Sequence, residues 1–299
     1  ARGFYCIDPW GTPKLTAKQD TKRMPRRTTA IAAALSVLAL GSPLISGCTN
    51  SLADIPYNSG VDKYEQGDYQ GAIADYDKAI EINPQNASAF LNRGTAKTKL
   101  GDYPGSIADF TKALEINPEY AKAFHNRGAA KAELGDYQGA IADYNKAIEV
   151  NPKDAIAYYN RGNTKSDLDD YQGAIADNTK AIEINPKFAL AYYNRGNAKF
   201  NLEDHQGAIA DYNKSIEINP GYGDAYMNRG NAKSNLDDYQ GAIADYNKAL
   251  EINPQNAFNY LNRGIARELV NDRQGACDDW RKAANLGDER SAELVKEQC

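Results

Sequence analysis

The sequence contains few of the side chains on which catalysis and metal binding depend. It has 299 residues with two histidines and four cysteines. His125 and His205 have no carboxylate or cysteine beside them at metal-ligand spacing, so neither a zinc site nor a histidine-based catalytic triad is predicted. No P-loop or dinucleotide-binding glycine motif is present. These absences argue against an enzyme, and no metal or cofactor is expected.

Clustered positive charge is also missing. The formal net charge is -5 and the pI is near 5.3. Nucleic-acid binders need clustered Lys and Arg to neutralise phosphates, so nucleic acid is excluded as an expected partner. With 42% hydrophobic and 25% charged residues, the composition fits a folded chain rather than a disordered one.

The dominant feature of the sequence is a repeat of 34 residues. Asn-Pro pairs mark its register, with prolines at Pro84, Pro118, Pro152, Pro186, Pro220 and Pro254. The register defines seven copies, the last without the terminal Asn-Pro: residues 53–86, 87–120, 121–154, 155–188, 189–222, 223–256 and 257–290. Self-similarity at this period is typical of a solenoid, in which each unit packs on its neighbours.

Each copy carries the signals of two helices. In copy three, apolar and small residues recur at intervals of three and four from Ala121 to Leu134, which predicts an amphipathic helix ended by Gly135. Asp136 is the predicted N-cap of a second helix over residues 137–150. Asn151-Pro152 ends that helix, because proline cannot donate a backbone hydrogen bond. Each copy is therefore predicted to be a helix hairpin.

This pattern resembles the tetratricopeptide repeat (TPR) family. With positions counted from 1 to 34, the family motif has aromatics at 4 and 24, Gly at 8, Ala at 20 and 27, and Pro at 32. Copy three supplies Phe124, Gly128, Ala140, Tyr144, Ala147 and Pro152. Asn178 replaces the aromatic at position 24 of copy four, where a weak seam is expected. The resemblance implies an all-α, right-handed superhelical solenoid of seven helix hairpins, closed by a C-terminal capping helix over residues 288–299.

The resemblance also implies a function, that of a non-enzymatic scaffold that binds an extended protein or peptide segment in a concave groove. Two other functions remain open: a structural array that associates with itself, and an accessory subunit of a glycan-processing or secretion and assembly complex.

The expected groove can be assigned from helical geometry. At about 100° per residue, positions 2, 5, 6, 9, 12 and 13 share one face of the first helix. Position 6 is Asn in every copy, and carboxamides can pair with a peptide backbone. The predicted groove residues are Asn92, Asn126, Asn160, Asn194, Asn228, Asn262, Asn163, Asn197, Asn231, Tyr159, Tyr193 and Met227. The alternative is that the asparagines serve hydrogen bonds between repeats.

A second row of residues carries opposite charges. Position 23 is Asp in all copies, and position 7 is Arg in copies two to seven. We hypothesise that each Arg pairs with the Asp of the preceding copy, as Arg93 with Asp75 and Arg127 with Asp109, and that these pairs set the stacking register. The alternative is solvated surface charge.

The sequence of the N-terminal region predicts an export signal. Residues 1–23 are interpreted as an upstream, unstructured segment, and residues 24–47 have the basic region and apolar run of a signal peptide. The segment ISGC before the array resembles a bacterial lipoprotein signal. This implies a lipidated Cys48, a tether over residues 48–52 and an exported protein anchored to a membrane of the bacterial envelope on its extracytoplasmic face. An uncleaved membrane helix is the alternative.

The remaining cysteines are Cys277 and Cys299. If Cys6 is removed and Cys48 is lipidated, these two are the only thiols in the exported protein, which predicts a disulfide between them. The alternative is a buried, inert Cys277 and an unpaired Cys299, because sequence does not fix the geometry.

Overall fold

The computed structural model describes residues Ile45–Cys299, with side chains from Leu52 onward. Within this part the chain is all-α and consists of helices in paired hairpins. They are α1 (Ile45–Glu65), α2 (Tyr69–Ile82), α3 (Ala87–Lys99), α4 (Tyr103–Ile116), α5 (Ala121–Glu133), α6 (Tyr137–Val150), α7 (Ala155–Asp167), α8 (Tyr171–Ile184), α9 (Ala189–Asn201), α10 (His205–Ile218), α11 (Gly223–Ser234), α12 (Tyr239–Ile252), α13 (Ala257–Leu269), α14 (Arg273–Asn285) and α15 (Glu289–Gln298).

The N-terminal predictions lie almost wholly outside the described residues. This applies to residues 1–23, to nearly all of the predicted signal peptide and to the side chain of Cys48. The backbone of the predicted tether, residues 48–52, forms part of α1.

The described chain divides into two compact units, one ending at Leu134 and one beginning at Gly135. In the first unit, α1 to α5 pack in chain order, and α3 also contacts the first helices of copies one and three. In the second unit, α6 to α15 pack in the same way, and α7, α9, α11 and α13 touch one another in sequence. Each helix therefore buries its apolar side against its neighbours, as a TPR solenoid requires.

The Asp N-cap predicted for copy three is present there and recurs in every other copy. The Asp136 carboxylate accepts the backbone N–H of Gly139 at 3.0 Å. The seven caps are Asp68, Asp102, Asp136, Asp170, Asp204, Asp238 and Asp272. A Cβ on Gly139 would overlap the Asp136 carboxylate, so the cap requires the glycine of the repeated DYQGA segment.

The capping helix α15 closes the end of the array. Leu294 and Val295 pack against a buried cluster that includes Leu261, Cys277 and Trp280. The structure joins Cys277 and Cys299 by a disulfide, with Cα atoms 5.7 Å apart. The last helix is thus held both by apolar contacts and by a covalent bond.

The core of each hairpin contains the residue at position 24. It is a fully or almost fully buried aromatic in the other copies: Tyr76, Phe110, Tyr144, Tyr212, Tyr246 and Trp280. Asn178 is just as buried, and its amide donates to the Ala174 carbonyl at 2.9 Å. Its carbonyl oxygen has no partner within the described part of the chain. A buried, unpaired acceptor is destabilising, which gives the expected weak seam a physical basis.

Asn178→Tyr should raise the free energy of unfolding by about 1–2 kcal/mol, because it restores a buried ring and removes the unpaired acceptor. The new hydroxyl should also bond Asn163, since Tyr212 donates to Asn197 and Tyr246 to Asn231, each at 2.8 Å. Urea unfolding measures the gain. Asn178→Phe is the matched control, which adds the ring without the hydroxyl and should gain less. A tyrosine variant that is less stable than the unaltered protein would contradict the claim that Asn178 weakens copy four.

Candidate functional site: the asparagine face

The pairs between the Arg at position 7 and the Asp at position 23 lie within copies, so the predicted pairing with the position-23 Asp of the preceding copy is wrong. Arg195 donates from Nε and Nη2 to Asp211 at 2.9 and 2.6 Å. The same pair forms at Arg93–Asp109, Arg161–Asp177, Arg229–Asp245 and Arg263–Asp279. Positions 7 and 23 face each other across the two helices of one hairpin, and this geometry brings Arg93 to Asp109 rather than to Asp75.

Copy one replaces the arginine with other donors. Asp75 accepts hydrogen bonds from Ser59 at 2.6 Å, Lys63 at 2.5 Å and Lys78 at 2.9 Å. The bond from Lys63, followed by those from Ser59 and Lys78, holds the pKa of the Asp75 carboxyl well below its usual range. Asp75 therefore stays ionised although it is buried.

The arginines do connect neighbouring copies, but through position 25. Arg229 donates from Nη1 to Asn213 at 2.6 Å, and Arg263 donates to Asn247 at 2.6 Å. A signal for this contact was present in the sequence, where position 25 is Asp, Asn or Thr in copies one to six. Copy seven has Arg281 there and has no following repeat.

Position 6 also forms hydrogen bonds between repeats, as the alternative interpretation held. Asn194 donates to the carbonyl oxygen of Asn163 at 2.5 Å, and Asn262 donates to that of Asn231 at 3.1 Å. Asn228 uses both amide hydrogens, one toward Asn197 and one toward the Tyr193 hydroxyl.

In the first unit, Asn126 donates to the Thr95 hydroxyl at 3.4 Å and Asn92 to the Tyr57 hydroxyl at 3.0 Å. The asparagines at position 6 thus form hydrogen bonds between the first helices of successive copies in both units.

Burial divides the predicted groove residues into two groups. Asn92, Asn126 and Asn160 are at most 2% exposed, and Asn163 and Tyr159 are also buried. The partly exposed group consists of Asn194, Asn197, Asn228, Asn231, Asn262, Tyr193 and Met227. We call this second group the accessible asparagine face; it belongs to copies five to seven.

The accessible asparagine face has amide groups that its own network does not use. The carbonyl oxygens of Asn194, Asn228 and Asn262 have no hydrogen-bond partner in residues 52–299. Asn197 and Asn231 accept through their oxygens, and their amide N–H groups are likewise unused in that range. The face therefore offers acceptors at position 6 and donors at position 9.

The network beneath this face fixes the side-chain orientations. Burial raises the pKa of Tyr212 and of Tyr246, so both remain hydroxyl donors to the asparagines above them. Asn197 and Asn231 each receive one tyrosine O–H and one asparagine N–H. Tyr193 packs against Tyr222 in a tilted arrangement, with ring centroids 4.8 Å apart. The unused groups are thus held in place by a satisfied polar layer.

Comparison with known families agrees with this architecture. A TPR repeat profile matches residues 60–101, 94–135 and 130–169, and a tetratricopeptide repeat profile matches residues 155–188, 189–222 and 223–256. The chain belongs to the tetratricopeptide repeat family. The second profile's matches coincide with copies four to six. TPR proteins are typically non-enzymatic scaffolds that mediate protein interactions.

Several solved proteins share the fold. MamA is 30% identical, with 56% of this chain and 96% of that chain covered and a TM-score of 0.52. A tetratricopeptide repeat protein from Parabacteroides merdae is 24% identical over 82% of this chain and 97% of its own, with a TM-score of 0.61. YrrB, described as a TPR protein with an unusual peptide-binding site, is 25% identical over 63% and 97%, with a TM-score of 0.55. No curated protein matches the chain.

Two further observations concern residues 45–299. No helix in this range is long and apolar enough to cross a bilayer. No group of three or more His, Cys, Asp or Glu side chains in the same range is arranged to hold a metal ion.

Proposed function

We propose that this TPR protein binds an extended segment of a partner protein along the accessible asparagine face. The observation that carries the proposal is the set of unused amide groups, with acceptors on Asn194, Asn228 and Asn262 and donors on Asn197 and Asn231. An extended peptide presents backbone N–H and C=O groups along its length, so it can satisfy both kinds of group whatever its side chains are.

The likeness to YrrB supports this proposal, since that related array is described as having a peptide-binding site. Self-association through the C-terminal end is less well supported, because α15 and the disulfide already cover the last hairpin. Capping of this kind is what keeps a solenoid from adding further units.

The test is the triple substitution of Asn194, Asn228 and Asn262 with alanine. Peptides selected from a random phage library against the unaltered protein supply the ligand. We expect the triple variant to bind these peptides more weakly by about 2 kcal/mol, because three acceptors are lost. Fluorescence anisotropy with a labelled peptide measures the affinity.

The matched control is Asn160→Ala. Asn160 occupies the same position in copy four but is fully buried, so its loss should lower stability and leave affinity unchanged. Circular dichroism checks that each variant is folded. Unchanged affinity of a folded triple variant would refute the proposed role of the face.

We also propose that the protein is exported and anchored through a lipid on Cys48. The lipoprotein-like segment before the array supports this, and the net charge from Cys48 onward, 28 basic against 38 acidic residues, disfavours adhesion to anionic lipid by charge alone. Expressed in a bacterium with its own signal, the protein should partition into the detergent phase, and Cys48→Ser should abolish this. Detergent partitioning that persists in Cys48→Ser would instead support an uncleaved membrane helix.

A further inference from the structure

We propose that a pocket at the C-terminal end of the accessible asparagine face selects partner segments that carry a large apolar side chain flanked by basic residues. The inference rests on the proposed function and adds to it the chemistry of the segment. The pocket lies among copies five, six and seven and has a volume of about 270 Å³.

Three apolar side chains from copies five and seven meet in this pocket. Phe200 stands at position 12, where copies four and six have serine. Phe258 stands at position 2, which is apolar in copies four and five and is Asp224 in copy six. Ile265 replaces the asparagine that copies four to six have at position 9. Duplicated repeats would share their residues by default, so the replacement of polar residues by Phe200 and Ile265 in a pocket that Phe258 also lines indicates a local role.

The pocket combines an exposed apolar wall with a polar edge. Phe258 is 50% exposed, although it is one of the larger apolar side chains in the chain. Asn231, Ser234 and Asn262 line the same space. Sites for whole small molecules are usually about 300 Å³ or larger, so this volume suits one side chain, whose backbone could bond the carbonyl oxygen of Asn262.

The charged residues at positions 2, 5, 6, 9, 12 and 13 of copies four to seven are all acidic. Asp224 is the position-2 counterpart of Phe258 in copy six, and Glu268 is the position-12 counterpart of Ser234 in copy seven. Neither carboxylate forms an ion pair with any residue from 52 to 299. In copies four to seven, positions 2, 5, 6, 9, 12 and 13 include no Lys or Arg. Basic residues on both sides of the apolar anchor would therefore complement the site.

The experiment pans the same random-peptide phage library against the purified full chain and sequences the bound peptides. We expect enrichment of sequences with Trp, Phe, Tyr or Leu next to Lys or Arg. A labelled synthetic copy of the most enriched peptide should bind Phe258→Ala and Phe200→Ala at least about ten-fold more weakly, because the anchor loses its apolar contacts. Leu236→Ala is the matched control, since Leu236 is also exposed in copy six but does not line the pocket. It should bind with unchanged affinity.

The outcomes separate this inference from the proposed function. Peptide binding that is weakened by substitution of Asn194 and Asn228 but is unchanged in both phenylalanine variants would contradict the role of the pocket. It would still support peptide binding by the accessible asparagine face. Enrichment of acidic peptides would overturn the charge preference. A library that yields no binding peptide would overturn both proposals.

Discussion

Replacing Asp211 with alanine should lower the free energy of unfolding by about 3–5 kcal/mol, because removing one member of a buried ion pair leaves its partners uncompensated. Asp211 is 3% exposed and accepts two bonds from Arg195. A second cation, the Lys199 ammonium, lies 2.8 Å from the same carboxylate. Two largely buried positive charges would thus lose the carboxylate that they share. Urea unfolding followed by circular dichroism measures the loss.

The matched control lies three residues away on the same helix. Lys214 pairs with Glu217 at 2.7 Å, but both side chains are more than half exposed. Lys214→Ala should change stability by less than about 0.5 kcal/mol, since water screens such pairs. An Asp211→Ala variant that loses no more than this control would show that the buried cluster does not hold the hairpin.

Replacing Cys299 with serine should lower the stability of the C-terminal cap by about 3 kcal/mol in the chain-entropy account of disulfides. The bond joins residues 22 apart in sequence and fixes α15 beside Trp280. Because stability in a solenoid is transmitted between neighbours, the loss should concentrate in copy seven and α15. Hydrogen exchange of the α14 and α15 amides, with and without reductant, measures it.

The control for the disulfide is the response to reductant itself. Reduction should accelerate exchange in the unaltered protein and have no effect on Cys299→Ser. Equal protection of the oxidised and reduced proteins would contradict a stabilising role. Two reactive thiols in a denatured, unreduced sample of the exported protein would show that the bond is not formed.

The repeat period allowed the helices to be predicted closely. The second helix of copy three runs from Tyr137 to Val150 as the sequence indicated, because its Asp cap and Asn-Pro terminator are local signals. The first helix ends at Glu133 rather than Leu134, which is its C-cap. Local chemistry therefore determined the hairpins almost completely.

The partners in the ion pairs, in contrast, could not be predicted from local sequence signals. Arg93 has an aspartate on either side at a similar sequence distance, and the three-dimensional packing places it against Asp109 of its own hairpin and not against Asp75. Which asparagines are accessible could also not be predicted from the sequence. Asn160 and Asn194 hold the same repeat position, yet only the second is partly exposed. Burial at this position depends on the packing of neighbouring copies, which a single repeat does not encode.

The most direct test of the central claim is site-specific photo-crosslinking in cells. A photoreactive residue replaces Met227 on the accessible asparagine face, and in a second variant it replaces Lys214 on the second helix of copy five. Mass spectrometry of the trapped peptides identifies what lies against each position. We predict that position 227 crosslinks to one contiguous, extended segment of another protein and that position 214 does not. Equal crosslinking at both positions, or crosslinks from position 227 only to a second copy of this chain, would contradict peptide binding at this face.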